Sequence, residues 1–253
     1  MSPGFKLTLS VDTKNWKAAD GLGSPKDATT YEKLFKSKKY TCEACGFFDV
    51  SHIEVHHING DHGDGRPENL ATICHFCHLT QHIGLAGRNK EAILIWLPEI
   101  DQATLAHVSR SIFVAKFMVD TQPQGAMAGG RRRAAVEKTK QIAEAADVVM
   151  AQLMARAVEA EAAIGTSDPL ALAAALQKIA KEDRPTYDKR EDYLYGIRLL
   201  PLGVYMIDGK DVFNQVVESW VGQSGAYVQH APSNWLDACQ NIMKSRATNT
   251  NPQ

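Results

Sequence analysis

Two pairs of cysteines spaced two residues apart, Cys42 with Cys45 and Cys74 with Cys77, bracket an adjacent His56 and His57, and His78 and His82 follow directly. A CxxC turn brings two thiolates to one point, so two such turns supply the four soft ligands of a tetrahedral Zn²⁺. The four cysteines are therefore the expected ligands of one structural zinc ion. The imidazoles suit another chemistry. Neighbouring side chains on an extended segment point to opposite faces, so His56 and His57 can divide two tasks. The spacing of His78 and His82 predicts two imidazoles on one helical face. Phosphodiester cleavage needs a base titrating near neutrality and a cation that stabilises charge on the leaving oxygen, and histidines supply the first and can hold the second. The plainer alternative for His56 and His57 is a polar surface.

The elements that must position these groups are short. Residues 47–58 have β-rich character around Val50, Ile53 and Val55, whereas residues 59–67 are packed with Gly, Asp and Asn and read as a loop. Residues 74–83 are predicted to form one helix. Upstream, residues 7–11 alternate apolar and polar side chains as a strand does, and residues 27–35 have helical spacing. Downstream, residues 93–97 form an apolar run that reads as a buried strand. Asp101 then caps a helix reaching about Val119, with Leu105, Val108, Ile112 and Ala115 as its inner stripe.

At residues 122–130 Pro, Gln, Gly and Met replace the periodic pattern, which predicts a linker. Residues 131–164 read as one Ala- and Glu-rich helix ended by Gly165, and Asp168 with Pro169 starts the next. Apolar connections at 197–201 and 204–207 lead to a helix carrying Phe213, Val216, Val217 and Trp220. A last helix is expected from Ser233, with Cys239 as a plain buried residue, and residues 247–253 read as disordered. The expected division is a zinc-binding domain at 1–121, the linker, a helical region at 131–222, and an extension at 223–253.

A formal net charge of −1 argues against indiscriminate nucleic-acid binding, which comes from an excess of Lys and Arg. Any DNA contact must be a local patch. Lys36, Lys38 and Lys39 beside Cys42 form one candidate, read either as phosphate-facing or as ordinary surface residues. Arg131, Arg132 and Arg133 open a predicted helix, where the dipole disfavours cations by roughly 0.3 to 1 kcal/mol each. They read as a solvated basic turn, or as a site for an acidic partner tail or DNA phosphate. No secretory signal and no run of about 18 apolar residues appears, so the chain is expected to be cytoplasmic without membrane insertion.

The residues between the cysteines resemble the HNH endonuclease family, through Glu54, Val55, His56, His57 and Ile58, then Asn69 and Leu70, then Cys74, Cys77 and His78. The resemblance implies a zinc-stapled ββα element of the treble-clef type. It makes His57 the general base, Asn69 the residue that holds the loop and orients His57, and His56, His78 and His82 the side chains facing a catalytic divalent ion such as Mg²⁺. His52, His62 and His75 have no place in that motif and are expected on the surface.

The flanks resemble the DotN/IcmJ family, soluble components of the coupling complex of type IVB secretion systems. The similarity runs through residues 7–16, the two knuckles, residues 94–99, 112–115, 165–169 and 197–201, and ends near Trp220. It implies an HNH-like zinc module that serves as a binding scaffold for the coupling ATPase, recruited to the inner-membrane apparatus. This chain departs by keeping the histidines and the asparagine, as a relative from a conjugative system moving DNA would. The expected architecture is α+β: the zinc-stapled module with a mainly α-helical carboxy-terminal half. The expected function is an ATPase-docking subunit of a type IVB secretion or conjugation system, with an active metal-dependent endonuclease as the alternative.

Overall fold

The computed structural model describes residues 7–11, 28–120 and 130–227, with only the backbone of Ala28, Asp120 and residues 130–135. Helix α1 (Ala28–Ser37) leads into the first cysteine turn. Strand β1 (Ile53–His57) and strand β2 (Leu70–Cys74) then pair antiparallel, with His57 opposite Leu70, His56 opposite Ala71 and Glu54 opposite Ile73. The two-residue period of a strand puts Glu54 and His56 on one face of this ribbon and Val55 and His57 on the other. Helix α2 (His75–Gln81) begins as β2 ends, so Cys74 closes the strand and Cys77 lies in the first helical turn.

The helix expected over 74–83 is divided. His82 leaves helical geometry at φ −130° and ψ 52°, and helix α3 (Ile83–Arg88) starts beyond it. Residues 7–11, expected as a strand, explain the break. They form no regular strand but lie across the α2/α3 junction, where Ser10 donates its N–H to the Thr80 carbonyl (2.8 Å) and accepts from the Ile83 N–H (3.2 Å). Arg190 holds the same segment through the Leu9 carbonyl (3.0 Å) and the Ser10 hydroxyl (2.8 Å). Its backbone is thus satisfied by helix ends and a side chain.

Strand β3 (Ala92–Trp96) is followed by helix α4 (Gln102–Asp120), whose first turn Asp101 caps through the Thr104 N–H at 2.7 Å. Helices α5 (Gly130–Ala155) and α6 (Ala157–Ile164) occupy the stretch expected as one helix. The break falls at Arg156, whose carbonyl accepts from the Trp96 N–H and whose guanidinium bonds Glu99 at 2.6 and 2.7 Å. Gly165 stops α6 at φ +80°, in the left-handed region that favours glycine. Asp168 then caps helix α7 (Pro169–Glu182) through the Leu170 N–H at 2.8 Å. Helix α3 crosses α7 so closely that a Cβ on Gly87 would lie 2.4 Å from the Leu170 nitrogen.

Helices α8 (Arg184–Asp188) and α9 (Arg190–Tyr193) are short turns. Strand β4 (Ile197–Pro201), expected only as an apolar connection, pairs antiparallel with β3, with Ala92 opposite Pro201 and Trp96 opposite Ile197. A small hairpin of β5 (Met206–Ile207) and β6 (Lys210–Asp211) precedes helix α10 (Phe213–Val221). The whole is a mixture of helices and small antiparallel sheets, consistent with α+β.

The β3–β4 ribbon divides the hydrophobic interior. Ile95 and Leu200 face a core built with Cys42, Ile73, Phe76, Leu105, Phe113, Val217 and Trp220. Leu94 and Leu199 face a second, with Ile83, Leu172 and Leu176. A ribbon covered on both faces needs apolar side chains at successive positions, which is why residues 93–95 and 199–200 read as continuous runs. The first core joins side chains from before and after residues 121–129. The expected linker (mostly), the helix from Ser233 with Cys239, and the terminal segment lie outside the described residues. No helix among those described is long and apolar enough to cross a membrane.

Candidate metal centres

The first cysteine turn is closed by backbone bonds. Cys42 donates to the Phe47 carbonyl and accepts from Gly46, both at 2.8 Å, and Gly46 takes φ +75°. It is fastened to β2 by the Glu43 N–H on the Thr72 carbonyl (2.8 Å) and the Thr72 hydroxyl on the Thr41 carbonyl (2.7 Å). The two CxxC pairs therefore face one another. The four sulfurs all lie within 4.8 Å of one another, and Cys45 Sγ and Cys74 Sγ are 3.7 Å apart. Metal–sulfur bonds of about 2.3 Å in a tetrahedron require sulfurs about 3.8 Å apart. All four thiols are free, so this is not disulfide geometry, and the group can hold a metal ion such as zinc.

The surroundings fit a charged cluster. Arg110 on α4 is 1% exposed, and its Nη2 donates to Cys74 Sγ at 2.6 Å and reaches Cys45 Sγ at 3.7 Å. The guanidinium lies 4.0 Å from the Phe47 ring centroid and 5.2 Å from that of Phe76. Among the described residues its hydrogen-bond partners are these two sulfurs. A buried cation without a carboxylate needs another anion, and thiolates are the groups present. Burial works against its charge, yet the Cys74, Cys45 and Cys77 sulfurs hold its pKa above the ordinary range. The thiols alone do not all ionise. Burial pushes the Cys74 thiol up, and neighbouring sulfurs push Cys77 up, so a cation among them is what would draw off the remaining protons.

A second cluster lies around the end of α2. The ligand atoms of His56, His78 and His82 fall within 4.8 Å of one another. The His78 and His82 ring centroids are 4.7 Å apart, with His56 at 5.3 Å from the first and 5.6 Å from the second. His82 reaches this position from a helix break. Burial, followed by the charges of neighbouring imidazoles, pushes His56 down to about 3 and His82 well below the usual histidine range. Neutral imidazole is the form that ligates a metal.

His57 lies on the opposite face of β1 from His56, and its buried Nε2 has no hydrogen-bond partner among the described residues. Such an atom calls for a water, ion or ligand. Its ring stacks on His62, with centroids 4.9 Å apart. Asn69 bridges the 59–64 loop, accepting from the Asn59 N–H and donating to the Asp64 carbonyl, both at 2.8 Å. Its carbonyl also accepts from the Ile58 N–H at 2.9 Å, so it fixes the backbone on both sides of His57's neighbour.

Glu54, Arg110 and Tyr205 have no role assigned from the sequence. Glu54 has a side chain only 10% exposed, and its carboxylate lies 2.6 Å from His78 Nδ1 and 3.0 Å from His75 Nδ1 while accepting from the Tyr205 hydroxyl at 2.7 Å. Burial opposes its ionisation, but His75 and His78 overcome that and hold it below the usual carboxylate range. His75, expected on the surface, is buried against the Tyr205 ring at 3.6 Å between centroids. The carboxylate and the ring together draw it inward. His52 is half-buried, its Nδ1 3.1 Å from the Ser219 hydroxyl. Glu54 opens the HNH-like segment and stands two before His56 on the same strand face. Arg110 falls on the side of α4 opposite the stripe of Leu105, Val108, Ile112 and Ala115, a side that is nonetheless buried through Ala106, Ser109 and Phe113, and neither it nor Tyr205 left a signal.

Lys36 pairs with Glu32 at 3.2 Å, and Lys38 with Glu43 at 2.5 Å. Lys39 has φ +53° in the turn before the first cysteines. Arg131, Arg132 and Arg133 lie at the start of α5, and their side chains fall outside the described residues.

No protein-family model matches the chain. It is similar to the type 4 apparatus protein DotN of Legionella pneumophila, with 30% identity over 114 residues, 44% of this chain and 53% of that protein. The chain thus spans about half the length of the curated relative it matches.

Proposed function

We propose that this chain is a component of a type IV secretion apparatus of the type IVB or conjugative kind, docking on the coupling ATPase at the inner membrane. The 30% identity to DotN carries this reading. The sulfur spacing and buried Arg110 support zinc at Cys42, Cys45, Cys74 and Cys77. The hairpin of β1 and β2 running into α2 supports an HNH-like ββα module around that zinc. Tagged chain expressed in cells carrying the transfer system is expected to recover the coupling ATPase on purification. Repeated purifications that never recover it would overturn the docking assignment.

The histidine geometry favours a second reading, a working HNH endonuclease. His56, His78 and His82 would hold a divalent ion, which supplies charge stabilisation at the leaving oxygen of a phosphodiester. His57, whose Nε2 has no hydrogen-bond partner among the described residues, would take the proton from attacking water, and Asn69 would hold the loop beside it. Lys36, Lys38 and Lys39 with the Arg131 to Arg133 turn remain the proposed contacts for DNA or an acidic partner. Under this reading supercoiled plasmid is nicked on addition of Mg²⁺, Mn²⁺ or Ni²⁺, and His57→Ala lowers the rate by roughly 10² to 10⁴ while leaving the zinc in place. Equal nicking by wild type and His57→Ala would assign the activity to a contaminant.

A further inference from the structure

Each nitrogen of His78 has a separate task in this geometry. Nδ1 lies 2.6 Å from Glu54 Oε2, and an ionised carboxylate can only accept, so Nδ1 carries the proton. That leaves the Nε2 lone pair for the group formed with His56 and His82. Glu54 is in turn fixed from the far end of the chain. Its other oxygen accepts from the Tyr205 hydroxyl at 2.7 Å and lies 3.0 Å from His75 Nδ1, while the His75 ring stacks on Tyr205. Glu91, which accepts from the Met206 N–H at 2.8 Å, has Oε2 3.6 Å from His75 Nε2.

A nearly buried carboxylate with three polar partners is expensive to desolvate, and packing alone would be better served by an apolar residue. A carboxylate on the outer nitrogen of a metal-bound imidazole sets its tautomer, fixes its plane and raises its basicity. We infer that Glu54, held by Tyr205, is the positioning residue of the histidine centre, presenting His78 Nε2 to a divalent cation. This rests on the reading of His56, His78 and His82 as a metal site and adds a residue that makes no contact with the ion. It also makes the affinity of that site depend on the loop before β5.

The test uses the full chain with its cysteine zinc loaded and Ni²⁺ as the probe, titrated calorimetrically. Wild type is expected to bind one Ni²⁺ that His82→Ala abolishes. Glu54→Gln is expected to weaken it roughly 10- to 100-fold with zinc content unchanged. Tyr205→Phe, which removes one hydroxyl, is expected to weaken it in the same direction by less, and serves if Glu54→Gln does not fold. Long-range ¹H–¹⁵N correlations should show His78 protonated on Nδ1 in wild type and redistributed toward Nε2 in Glu54→Gln, which ties the loss of affinity to the imidazole rather than to the fold. Undiminished Ni²⁺ affinity in both variants would overturn the positioning role and leave the site standing. No Ni²⁺ binding by wild type, with His78 still protonated on Nδ1, would instead overturn the histidine centre and this inference with it.

Discussion

Replacing Cys74 by alanine is expected to yield protein that is insoluble or rapidly proteolysed and that has lost its zinc. Cys74 closes β2, stands at the N-cap position of α2 and receives the Nη2 bond of Arg110. Its loss removes one of the four candidate ligands and leaves two buried thiols and one half-buried thiol beside a buried cation. Structural zinc contributes apparent binding energies of about 10 to 16 kcal/mol in small metal-held modules. A whole domain is stable by only about 5 to 15 kcal/mol, so losing much of the first term exhausts the second. Metal content, solubility and limited proteolysis check the result. A soluble Cys74→Ala protein melting at the wild-type temperature would show that the four-thiolate assignment is wrong.

The second large effect is expected at Arg110. Methionine fills much the same volume and would suit the Phe47 and Phe76 rings, so a purely steric role predicts little change. A tetrathiolate zinc centre would carry net negative charge, however, and the four sulfurs that would form it here are buried or half-buried. Removing one partner of a buried ion pair costs about 3 to 5 kcal/mol because the other charge stays behind unpaired. Arg110→Met is therefore expected to lower the melting temperature by on the order of 10 °C and to speed zinc loss to a chelator. Arg110→Lys, keeping the charge but losing the planar fork, should fall between the two. Unchanged melting and zinc retention in Arg110→Met would mean that the cluster carries no charge requiring Arg110.

The residues that could ligate a metal are legible in sequence because their chemistry forces them close together along the chain. A CxxC turn is a local object, and so is an adjacent histidine pair. The residues that make those groups competent are distant. Tyr205 reaches Glu54 across 151 positions, and Arg110 reaches Cys74 across 36. No periodicity encodes such a meeting. His75 illustrates the error that follows: without Glu54 and Tyr205 in view, a histidine outside the motif defaults to the surface. The element boundaries failed for a related reason. The α2/α3 break and the α5/α6 break each occur where another segment captures a helix-end backbone group, through Ser10 in one case and Trp96 in the other. The apolar and polar residues alternate along 7–11, yet Leu9, Ser10 and Val11 are all buried, because a strand needs a partner and this segment found helix ends instead. Strand β4 was masked by the opposite circumstance, its two-sided burial removing the alternation by which a strand is recognised.

A metal-bound thiolate cluster is proposed to staple the fold independently of the histidines. Cobalt substitution of the purified full chain, followed by absorption spectroscopy, tests it most directly. The expected result is one Co²⁺ giving the intense sulfur-to-metal charge-transfer bands and visible bands of a tetrahedral four-thiolate site, unchanged in His82→Ala and displaced by one equivalent of Zn²⁺. A cobalt spectrum without sulfur charge transfer, from protein that folds with four thiols freely reactive, would contradict it.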